Sequence, residues 1–214
     1  MNKTLIKQHL AVGAFAFGIS IPALAQAQSL GERHDLVIGV ERVFGMYTTH
    51  IEAELPNGQN SVQRGTGVGL GYQRPVTALT VPRVAVDYFI SPSLSLGGSL
   101  GFDAIDPDTG DPNDSGAFLF SPRVGYAIPF NPDWGVWFHG GLTYLGEDFG
   151  NNVNTSLLAL TADATFYYMP APSVGFTGGP ILDLGITGSR KAGNFDGDYN
   201  ERLFGLGFGM FARL

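Results

Sequence analysis

Four carboxylates fall inside nine residues of "IDPDTGDPND": Asp106, Asp108, Asp111 and Asp114. Oxygen ligands at that density suit calcium, which takes about six to eight of them. The spacing departs from the helix-loop-helix calcium loop, because Gly110 comes too early and no glutamate closes the run. A solvated acidic loop is therefore the stronger reading, and "NFDGDYNE" at 194–201 reads the same way. No cofactor is expected. His50 lies near Thr48, Thr49, Glu52 and Ser61 and is the histidine best placed to act as a base. A working site also needs a nucleophile and an orienting partner within hydrogen-bond reach. The chain has no G-x-S-x-G elbow, no phosphate-binding loop and no metalloprotease motif. An enzyme is not expected, and a lipid-modifying barrel enzyme is kept as an alternative.

A second set of charges is placed by periodicity. Glu41, Asp87, Asp163 and Asp183 share one parity with Arg83, Arg123, Arg213 and His139. Alternating residues of a strand point to opposite faces, so these eight side chains are expected on one face. The opposite parity is apolar, as in Val84, Val86, Tyr88 and Ile90, or Phe118, Phe120, Val124 and Tyr126. Four acids, three arginines and one histidine can nearly neutralise one another inside a closed barrel. The expectation is a lumen crossed by a charge network, with glycines making room for the arginines.

The elements that would position these residues are strands. Segments of alternating character run near 34–47, 78–90, 94–104, 116–129, 134–146, 156–169, 173–187 and 200–214. Short connections rich in turn formers alternate with long polar ones at 48–77, 105–115, 147–155 and 188–199. That is the layout of an all-β, closed, antiparallel up-and-down transmembrane β-barrel of eight strands. Residues 62–72 also alternate and are assigned to a hairpin on the first long loop. Arg42 is the discordant residue: strict alternation turns it towards lipid, where an arginine at mid-depth costs about 2 to 4 kcal/mol. A β-bulge near Val40 to Arg42 would re-aim it, or it lies near the outer head groups.

The N-terminus reads as an export signal. Lys3 and Lys7 precede an uncharged run, and "ALAQAQS" offers small-residue cleavage sites. Residues 1–27 are assigned to a cleaved signal peptide and 28–214 to the barrel domain. The chain has formal net charge -7, which argues against nucleic acid as a partner. It has no cysteine, so disulfides, thiolate metal sites and a lipidated cysteine are excluded. A soluble lipocalin-like barrel with an apolar interior would invert the two faces and should carry many exposed lysines. Beyond the signal region the chain has one, Lys191.

"RHDLVIGVERVFG", "PRVAVDYFISPSLSLGGSLGF", "FSPRVGYAIPFNPDWGVWFHGGLTY" and the closing "FGLGFGMFARL" resemble a family of small predicted outer-membrane barrel proteins without established activity. In architecture the chain is also similar to the OmpA and OmpX type of eight-strand barrel. The resemblance implies the fold and an outer-membrane location in a Gram-negative cell envelope, and it brings no catalytic residues. The expected partners are outer-membrane lipid, the barrel-assembly machinery through the C-terminal strand, and an unidentified extracellular partner. The expected role is structural or surface interaction through the loops, not a general pore.

Overall fold

The computed structural model describes residues 29–71, 77–104, 116–149 and 153–214. The signal-peptide assignment and the candidate calcium carboxylates Asp106, Asp108, Asp111 and Asp114 lie outside the described residues. The described residues contain nine strands: β1 (Leu36–Glu54), β2 (Asn60–Leu70), β3 (Arg83–Ser91), β4 (Leu94–Ala104), β5 (Gly116–Pro129), β6 (Trp134–Asp148), β7 (Val153–Ala171), β8 (Val174–Ala192) and β9 (Phe195–Arg213). Eight of them close a ring in the order β1-β3-β4-β5-β6-β7-β8-β9, and β9 returns to β1. All neighbouring pairs are antiparallel, and the seam runs from Val37↔Arg213 to Ala53↔Tyr199.

β2 is the ninth strand and does not enter the ring. β1 divides one edge between two partners, pairing with β3 up to Glu41 and with β2 from Phe44 onward. Residues 60–70 thus form a hairpin with the upper part of β1. The change of partner coincides with a register shift against β9 between Val40 and Phe44, where Arg42 adopts a φ of 56°. This bulge decides the orientation of Arg42: β1 takes four steps from Val40 to Phe44 where β9 takes two, and within that stretch the Arg42 side chain turns inward to 7% exposure, while Ile38 before it and Phe44 after it keep the same outward parity.

The strand from 78 to 90 expected from alternation begins only at Arg83. Ala78–Thr80 is instead a short 3-10 turn, with the Thr77 hydroxyl accepting from the Leu79 amide at 3.1 Å. Its residues are buried. Residues 77–83 are all buried, and burial alternates only from Val84 onward, so the alternation of residue types at 78–82 did not correspond to alternating faces. The connections expected at 48–77 and 188–199 are shorter than anticipated. β1 runs on to Glu54, and β8 and β9 run on to a tight turn at Gly193.

Outside, the ring carries an apolar belt that includes Val84, Val86, Leu96, Phe120, Val124, Phe138, Leu160, Phe176, Leu206 and Phe208, all exposed. Trp134, Tyr168 and Phe130 edge it beside the short turns. Inside, glycines make space for large neighbours. An added Cβ at Gly101 would lie 3.2 Å from Leu119 Cδ1 and 3.3 Å from Arg83 Cγ, and one at Gly141 would run into the Pro122 carbonyl and lie 3.0 Å from Arg123 Cβ. At the C-terminal strand the close side chain is aromatic, since a Cβ on Gly205 would lie 2.7 Å from Tyr47 Cδ1. Gly207, in contrast, has Ile181 at an ordinary 3.5 Å. Gly205→Leu is expected to lower stability by about 1 to 3 kcal/mol through overpacking, and Gly207→Ala to be tolerated. The check is the urea midpoint at which each variant loses its compact, heat-sensitive band in SDS electrophoresis.

Candidate functional site

The interior is filled in three tiers, each set by the strand residues that face it. At the end nearest the short turns, Leu30, Phe89, Ala127, Trp137, Tyr167, Met169 and Phe211 form an apolar floor. The Phe89 and Trp137 rings stack at 5.5 Å. The chain preceding β1 is folded into this floor: Leu30 is buried, and Asp35 accepts from the amides of Gly31 and Glu32 at 3.2 and 2.9 Å. Arg213 pairs with Asp35 at 3.0 Å, fastening the last strand to the first.

The middle tier is ionic. Arg123 binds both Asp87 and Glu41, and Arg42 binds Asp183 with Nη1 at 2.7 Å and Nη2 at 3.2 Å. His139 meets Asp163 through Nδ1 at 2.7 Å. Asp183 also accepts from Thr161 at 2.7 Å, and Thr161 joins Thr143 and Ser121 in a hydroxyl chain. Of the eight residues singled out by parity, Glu41, Asp87 and Arg123 form one cluster, and His139 and Asp163 form another. Asp183 takes Arg42 as its partner. Arg213 belongs to the floor. Arg83 is 2% exposed and donates to the Leu79 carbonyl at 3.1 Å and to Thr143 at 3.5 Å. Between these groups lies a cavity of about 50 Å³, room for a few waters, lined in part by Arg83, Ser99, Ser121, His139 and Asp163.

The third tier is apolar and was not foreseen. Ala78, Leu79 and Val81 sit against Tyr47, Leu119, Leu145, Leu157, Ile181 and Leu203. The Leu79 carbonyl is held by Arg42 at 2.5 Å as well as by Arg83, so the inserted segment rests on the ionic tier. The one signal in the sequence was the run of small and apolar residues before Pro82, which alternation disguised as strand.

Among the described residues neither His50 nor His139 is hydrogen-bonded to a hydroxyl that could serve as a nucleophile. The remaining nitrogen of His139, Nε2, is buried without a partner, and the neighbouring Ser95 hydroxyl is equally unpartnered. His50 accepts from Arg64 Nε at 3.1 Å and meets Glu52 at 2.7 Å, so both ring nitrogens are engaged. Among the described residues no group of three potential ligands is arranged to hold a metal ion.

Glu201 lies above the belt, between the outward residues Asn200 and Arg202, and its carboxylate is fully buried. Burial pushes the carboxyl up to about 7, against the opposing hydrogen bonds of Thr77 and Tyr199; nearby Glu147 and Asp183 push the same way as burial. Tyr199 donates to it at 2.8 Å. The folded state therefore holds this proton more tightly than the unfolded chain. Its contribution is intact below about pH 4.5 and declines as pH rises to about 7. Glu201→Gln is expected to raise the unfolding temperature at pH 8 by on the order of 5 °C and to change little at pH 4, read by tryptophan fluorescence during heating. Arg42→Ala is expected to cost about 3 to 5 kcal/mol because it strands buried Asp183, and the double change with Asp183→Asn to recover part of that loss in urea titrations.

No protein-family profile matches the chain, and no curated protein does. Solved structures do. The solid-state NMR structure of outer membrane protein AlkL in DMPC lipid bilayers is similar with a TM-score of 0.55 and 12% identity, covering 91% of this chain and 95% of that one. The outer membrane protein OprG from Pseudomonas aeruginosa is similar with a TM-score of 0.51 and 10% identity, covering 87% and 99%. A closed ring of strands with an apolar exterior belongs in a bilayer, because only full closure satisfies the backbone there. The chain has the fold of the small outer-membrane β-barrels.

Proposed function

We propose that this protein is a sealed outer-membrane barrel that acts structurally or through its outer rim, and that it neither conducts solutes nor catalyses a reaction. The observation carrying this reading is the stack of floor, ionic tier and inserted segment across a ring of only eight strands. A general pore needs a continuous aqueous path, and the buried rings of Phe89, Trp137, Tyr167 and Phe211 occupy the route at one end. The ends of the strands carry the variable chemistry: Glu52, Glu54, Asp196 and Asp198 leave the rim acidic, suiting a polar or cationic extracellular partner. In this reading β9, apolar outward at Phe204, Leu206, Phe208 and Met210, is the segment offered to the barrel-assembly machinery.

Planar-bilayer recording tests the seal. The native protein is expected to show no steady conductance, whereas Phe89→Ala combined with Trp137→Ala is expected to open a measurable leak. Steady conductance of the native protein would overturn the proposal.

A further inference from the structure

Three outward-facing basic side chains stand in one row where the apolar belt ends. His50 on β1 lies opposite Arg64 on β2 and opposite Arg202 on β9. The next row towards the membrane is Thr66, Thr48 and Phe204, and the one after it Val68, Met46 and Leu206. Directly opposed residues carry their side chains about 5 Å apart, so two long arginines flanking an imidazole can converge on one group.

Hydrogen bonds prepare this row. Arg64 donates through Nε to His50 Nδ1 at 3.1 Å, and the imidazole, with its hydrogen on Nε2, donates to Glu52 Oε1 at 2.7 Å. That chain fixes the Arg64 side chain through its inner nitrogen. Arg202 is exposed and has no hydrogen-bond or ion-pair partner among the described residues. Glu52 offsets one of the two guanidinium charges, while Glu54 and Asp198 stand further from the belt. A net positive row results on a chain whose formal charge is -7.

We propose that Arg64, His50 and Arg202 form a headgroup site for a phosphorylated lipid of the outer leaflet. The site rests on the bilayer-spanning reading above. Guanidinium forks match phosphate oxygens bidentately and with charge assistance. The acyl chains lie over Val68, Met46, Phe204 and Leu206, which are all exposed. This apolar surface directly beneath the row selects a lipid over free phosphate, since a net charge near one on an open surface holds a small anion weakly.

The test uses the full barrel in micelles of an uncharged detergent, titrated with bis-phosphorylated lipid A and with fully dephosphorylated lipid A, with bound lipid counted by native mass spectrometry. The phosphorylated lipid is expected to bind the native protein, and Arg64→Gln with Arg202→Gln to lower that affinity about tenfold or more. Lys191→Gln, which removes an exposed cation further up the rim, is expected to leave it unchanged. The dephosphorylated lipid is expected to bind native and double-variant proteins equally weakly. Unchanged affinity in the double variant, an equal loss in Lys191→Gln, or complete displacement by inorganic phosphate would each overturn the proposal. A heat-dependent shift in SDS electrophoresis is scored on every sample. Its absence counts against the membrane barrel itself, while its presence with unaltered lipid binding counts against the headgroup site alone.

Discussion

Hydrocarbon offers backbone amides no hydrogen-bond partner, so the rest of this structure depends on closing the seam between β1 and β9. Closure at eight strands leaves a lumen only wide enough for side chains. Every inward position must then be filled, and what fills it is decided locally: rings near the short turns, ion pairs in the middle, a piece of the chain itself above. The glycines follow from the same limit. Tyr47 occupies the space that Gly45 and Gly205 leave empty, and Phe211 the space beside Gly175. The bare side of the closing strand and the bulky side of its neighbours are one packing solution.

The ionic tier is costly in isolation, since burying a charge is offset only by good geometry and added hydrogen bonds. Here the partners are shared. Asp183 receives Arg42 and Thr161, Arg123 spans two carboxylates, and Arg83 rests on a carbonyl. Because Arg42 and Arg83 both reach Leu79, the charges and the inserted segment hold each other in place.

Much of this was legible in the residue order. Period-two alternation, turn formers at 91–93 and 130–133, and shared parity located the eight ring strands and separated the two faces. Strand ends were read less well, because β1, β7, β8 and β9 continue beyond the belt as polar pairs whose alternation is no longer hydrophobic. Arg42 could not be settled from sequence, since a bulge leaves no composition signature when its residue is not glycine. Leu79 was misplaced because periodicity assigns every second residue to the outer face, whereas residues 77–83 are all buried. Asp35 lies within the expected strand 34–47 with the parity of Glu41, but its pairing with Arg213 was missed because parity assigns a face and does not show which inward charges meet across the seam.

The division of one β1 edge between β2 and β3 also constrains the order of assembly. The inserted residues lie in the chain between those two strands, and the cavity of about 50 Å³ left in the ionic tier is too small to admit them. Zipping the seam brings together residues more than 140 positions apart, a late event on grounds of loop closure alone. Residues 77–81 must therefore be captured while the sheet is still open, so the stopper is enclosed by the wall as it curls and is never threaded into a completed cylinder.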